Sequence, residues 1–233
     1  MHSFGVRGGG PTYWLQEVCL GSDFTRSASR LGIASAVGVV SLGGAYLVCL
    51  IIGLASLSSP QEPIADPWFT ALEILILAMM PFMVTLMVSV HAWSARESKA
   101  ESMVAVVFMA LVAVITSVVH FAILTLSRQE AFRDMGWLFS FSWPSVVYAL
   151  DILAWDFFFP LSVLLAVPVF KRGRLENWIR ILLGISGVLA LAGLAGVFLN
   201  DMQVRNTGIV GYAVVFPVAA ALLGILFWRS EPA

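Results

Sequence analysis

Residues 143–170 read WPSVVYALDILAWDFFFPLSVLLAVPVF. As a helix rising 1.5 Å per residue the run is long enough to cross a bilayer, yet it carries Asp151 and Asp156 in its interior. Carboxylates inside an apolar span are expensive, so both are expected to face other helices, water or a partner rather than lipid. Pro160 and Pro168 add two points where the backbone ladder is interrupted and neighbours must repair it. No other apolar run in the chain combines these features.

Outward from this stretch, five more apolar runs mark spans at Leu31–Leu57, Pro67–Trp93, Ser102–Leu126, Trp178–Leu199 and Thr207–Trp228. Apolar residues make up 60% of 233 positions and charged residues 12%, about half the share usual in a soluble domain. Mean hydropathy is +0.93, and the apolar residues fall in blocks rather than at amphipathic spacing. The expected fold is therefore all-α: a polytopic bundle of six transmembrane helices. Residues 1–30 and 229–233 are left outside it. The former hold a Gly8–Gly10 run but no apolar segment before a cleavage site, which argues against a secretory signal peptide. Trp68, Trp93, Trp137, Trp143, Trp178 and Trp228 all fall at or near predicted interfaces, as an aromatic belt requires, whereas Trp155 sits deep.

Orientation follows from the basic residues. Arg7, Arg26, Arg30, Arg96, Lys99, Lys171, Arg172, Arg174, Arg180 and Arg229 flank one side, against Arg128, Arg133 and Arg205 on the other. That asymmetry predicts both termini in the cytoplasm, in what is expected to be a prokaryotic cytoplasmic membrane. The net charge of −1 and the lack of a basic, aromatic-interleaved cluster give nucleic-acid binding no support. Membrane lipids are the expected surroundings. The fifth span, with Gly184, Gly187, Gly193 and Gly196, offers a face for close helix packing, within the bundle or against a second copy or another membrane subunit.

Candidate chemistry lies in a polar layer. Glu73, His120 and Asp151 each fall roughly 9–12 Å below the outer boundary, with Asp156 near the midplane. Tyr148 and Trp155 share the Asp151 face. On a regular α-helix Asp156 lies about 140° round from Asp151, so both meet at one site only if the span bends near Pro160. A packing role is the plain alternative for every one of these groups; a ligand pocket, proton relay or ion path is the functional one.

Other chemistries have less behind them. Met80, Met83, Met87 and His91, with Met79, suggest a thioether face for copper(I), set against the ordinary use of methionine in packing. His91 and His120 differ by about 24 Å in depth, so no single metal ion or haem uses both. Both lysines are in loops, which excludes a retinal Schiff base. No HExxH, GxSxG, Walker or dinucleotide-binding pattern is present, Cys19 and Cys49 form no motif, and the sequence calls for no cofactor.

From Leu150 onward, AWDFFFPLSVLLAVPVF, RLENWIR, GISGVLALAGLAG and GYAVVFPVAAALLGILF together resemble uncharacterised prokaryotic multi-span proteins carrying a domain of unknown function. The resemblance covers roughly the last third of the chain and implies a membrane bundle of six or seven helices. It implies no activity, cofactor or catalytic residue. Three functional classes stay open: a carrier or channel using Asp151 and Asp156, an accessory subunit of a membrane complex, and a lipid-modifying enzyme using Glu73, His120 and Asp151 as acid and base. The topology is testable directly. In a cysteine-free background, a cysteine at Gln129 should label from outside intact cells and one at Ser98 should not.

Overall fold

The computed structural model describes residues 24–59, 62–171 and 173–230, and among these there are helices and turns but no strand. Six helical spans are long and apolar enough to cross a membrane: Arg26–Ala55, Trp68–Trp93, Arg96–Arg128, Val146–Val169, Arg174–Leu199 and Met202–Arg229. This is a polytopic, all-α membrane bundle. Each span packs on its neighbour in the chain, and the sixth closes on the first, so the six form a ring. With an even number of crossings, Arg26 and Arg229 lie at one end and the first, third and fifth connections at the other, here called the far end.

The boundaries shift where local chemistry overrides hydropathy. Thr25 accepts the Ala28 amide and starts the first span at Arg26 rather than at Leu31. Of the N-terminal segment, residues 1–23 lie outside the described residues. A larger correction falls on the fifth connection, expected to run to Arg205 and beyond. It is only Asn200 and Asp201: Asn200 ends the fifth span in the left-handed region (φ 51°), and Asp201 accepts the Gln203 amide at 2.9 Å. Arg205 therefore belongs to the first turns of the sixth span and is buried at 3% exposure. Ser98 is buried as well, so Glu97 beside it, with a side chain 76% exposed, is the better cysteine reporter for that end.

Two spans contain a π-helical turn. In the fourth, residues Leu153–Phe158 are π-helical, and Phe159 donates its amide five residues back to Ala154. In the sixth, residues Val210–Val215 repeat this, with Phe216 donating to Gly211. Each turn is followed at once by Phe-Pro. A proline offers no N–H and its ring presses on the carbonyl four residues earlier, so the ladder widens just upstream (Pro160, Pro217).

Between helices in lipid the hydrophobic effect gives little, and close packing with hydroxyl-to-carbonyl bonds takes over. Ser162 donates to Ala105 O at 2.7 Å, Ser186 to Gly211 O at 2.9 Å and Ser29 to Phe227 O at 3.1 Å. The glycines of the fifth span serve the bundle itself. Gly187 faces Leu164 and Val163, and Gly193 and Gly196 face the start of the sixth span, while Gly184 looks onto open space. Gly193 and Gly208 form a notch for the Asp156 carboxylate: a methyl group at Gly193 would come within 2.7 Å of Oδ1, and one at Gly208 would overlap it. Gly208→Ala should therefore lower the thermal midpoint in detergent, at a cost of about 1–3 kcal/mol, whereas Gly184→Ala should leave it unchanged or slightly higher.

Candidate functional site

The far half of the ring holds a chain of five charged or titratable side chains from four spans. Glu73 leaves the second span, His120 the third, Asp151 and Asp156 the fourth, and Arg205 the sixth. His120 Nδ1 lies 2.7 Å from Glu73 Oε2, and His120 Nε2 lies 3.5 Å from Asp151 Oδ1. Arg205 then donates twice, from an Nη atom to Asp151 Oδ2 at 2.8 Å and from Nε to Asp156 Oδ2 at 3.0 Å. None of the five is more than 5% exposed.

A carboxylate only accepts, so Nδ1 carries the proton in the bond to ionised Glu73. That leaves Nε2 aimed towards Asp151 at ion-pair distance but beyond a good hydrogen bond, and among the described residues no other group bonds it. Arg205 uses its rigid fork to clamp two carboxylates, a task a lysine could not perform with the same geometry. Its guanidinium carbon also sits 4.5 Å above the Tyr148 ring.

The 140° separation expected for Asp151 and Asp156 does not hold. Five residues make one rung of a π-helix, so the turn at Leu153–Phe158 brings the two carboxylates round to one cation. The distortion lies just upstream of Pro160, where a bend was the condition for the two to meet. Asp156 Oδ1, in the notch of Gly193 and Gly208, has no hydrogen-bond partner among the described residues.

Trp155 is buried, as its depth predicted, and meets Tyr212 across the two π turns with ring centroids 4.9 Å apart and planes tilted by 40°. Its Nε1 donor has no partner among the described residues. Below it, Phe159 meets Phe216 edge-on at 5.1 Å. The methionine face is placed differently. Met80, Met83 and Met87 are buried in the apolar core, and His91 Nδ1 is 2.9 Å from Ser102 Oγ at the opposite end. Met83, Met87 and His91 span about 12 Å of helix, too far for one copper ion. No cluster of three His, Cys, Asp or Glu suited to a metal occurs among the described residues.

A cavity of about 720 Å³ opens against this chain, within the size range of small-molecule sites. Glu73, His120, Asp151, Arg205 and Tyr148 form one wall, and apolar residues such as Leu50, Ile76 and Met83 form much of the remainder. Asp156 lies behind the wall. At the mouth, the third connection folds over as Phe139–Ser142, with Phe141 5.6 Å from His120 and 5.3 Å from Tyr148. No family model, curated protein or solved structure matches the chain.

Arg205 is the residue that sequence reasoning missed, because an arginine near a span end reads as a loop residue. The usable signal was Asp201, a helix N-cap four residues before it. Tyr46 and Tyr212, both on the cavity wall, were also passed over as span residues. Arg205→Gln should strand two carboxylates and cost about 3–5 kcal/mol of stability. Adding Asp151→Asn and Asp156→Asn should recover a large part of that loss, read as the thermal midpoint in detergent.

Proposed function

We propose that this chain is a membrane-embedded binding protein whose ligand places an apolar body in the cavity and a polar end against Glu73, His120, Asp151 and Arg205. The observation that carries the reading is the meeting of an apolar wall and an ionic wall in one space of about 720 Å³. The distribution of basic residues supports an orientation with the cavity mouth outside the cytoplasm. Trp155, Tyr148 and Tyr212 supply the shaped, amphipathic part of the wall.

Relay of protons or ions across the whole membrane has less support. The ionic chain stops at Asp156, and between there and the terminal end the core consists of residues such as Met80, Met87, Phe159, Val163 and Leu223. A hydrated path would have to pass that apolar layer. Binding needs no such passage.

The test uses the full chain in nanodiscs and a panel of single-chain amphiphiles of one tail length with cationic, anionic and neutral head groups. At least one class should raise the thermal midpoint, by about 5 °C near a hundredfold excess over Kd. Gly43→Phe should remove the shift, because Gly43 lines the cavity and its side-chain position meets only Pro217, at 3.7 Å. The reading fails if no class shifts the midpoint, or if a folded Gly43→Phe protein responds as the unaltered one does.

A further inference from the structure

From the charges around the cavity we infer that the ligand's polar end is cationic, an organic ammonium on an apolar tail. This rests on the binding reading above and names the class of molecule bound. Counted at their formal charges, these side chains do not balance. Asp151 and Asp156 flank Arg205, and Glu73 and Asp151 flank His120, so three carboxylates face two basic groups. Even with His120 protonated, one negative charge is left over. With His120 neutral, two are.

Where that surplus lies decides the chemistry. Asp156 is behind the wall, and Arg205, which stands on the wall, is shared between Asp156 and Asp151. The carboxylates left to share His120 are Glu73 and Asp151, and both line the cavity. Glu62 adds a further carboxylate at the mouth, where Oε2 accepts the Ser58 amide at 3.1 Å. An uncompensated charge in such a space is costly, and a cation from the ligand relieves it.

Aromatic faces point the same way. Tyr46 from the first span, Trp155 from the fourth and Tyr212 from the sixth line the cavity beside these carboxylates. Ring faces attract cations, and an ammonium between them keeps favourable electrostatics after losing its water. An anionic head group would meet Glu62, Glu73 and Asp151, while the fork of Arg205 is already committed to two carboxylates.

The experiment measures binding to the full chain in nanodiscs of zwitterionic lipid, with dodecyltrimethylammonium, dodecanol and dodecyl sulfate as the probes. Binding to Gly43→Phe nanodiscs is subtracted as bilayer partition. The ammonium should bind at least tenfold more tightly than the alcohol, and the sulfate most weakly. Glu73→Gln should cut the ammonium-to-alcohol ratio at least threefold while alcohol binding persists. The head-group series on the unaltered protein decides the matter even if that variant does not fold. Equal affinity for ammonium and alcohol, or tighter binding of sulfate, overturns the inference and leaves the cavity reading standing. Saturable binding of none of the three overturns the cavity reading itself.

Discussion

One cation held between two carboxylates organises the far half of this molecule. Arg205 contacts Asp151 and Asp156 at 2.8 and 3.0 Å in a region nearly closed to solvent. An unpaired charge there would cost several kcal/mol, so every element that brings the three together must be in place at once. The two-residue connection at Asn200 and Asp201 puts Arg205 inside the sixth span. The π turn at Leu153–Phe158 turns both carboxylates to one side. Gly193 and Gly208 give Asp156 the room it occupies. Removing any one of these leaves a buried charge without its partner.

The same interaction links ring positions that are not neighbours in the chain. The fourth and sixth spans meet through the ion pairs and through Trp155, Tyr212, Phe159 and Phe216. Ionic contacts above and aromatic contacts below give the ring a closed centre at mid-depth, with the cavity on the far side of it. His120 extends the ionic chain to the second span through Glu73, so four of six spans share one electrostatic unit. Such units are strongly coupled, because each member is both a charge and a neighbour's counter-charge.

The paired π turns give the site its shape as well as its charge. Both precede Phe-Pro, and together they place Trp155 and Tyr212 in tilted ring contact on the cavity wall. A proline in a lipid-buried helix leaves backbone groups to be satisfied locally. Ser186 adds a second bond at Gly211 O, the carbonyl that already receives the Phe216 amide, and so ties the fifth span to the second π turn.

Much of this was legible in the sequence. Block length and hydropathy placed six spans, because a bilayer of fixed thickness imposes its length on any helix that crosses it. The cost of ionisable groups in lipid singled out Glu73, His120, Asp151 and Asp156, and counting residues from the turns placed the first three at one depth. What sequence could not supply was azimuth and register. The relation of Asp156 to Asp151 depends on a π turn, and a regular helical wheel assigns them to different faces. Arg205 looked like a loop cation because hydropathy weighs its charge but not its neighbours. Only the folded ring sets two carboxylates beside it, and only that closure leaves the space against which Glu73, His120 and Asp151 line up. Depth is a property of one helix and its solvent. Pairing is a property of several helices together, and it was the tertiary structure that decided it.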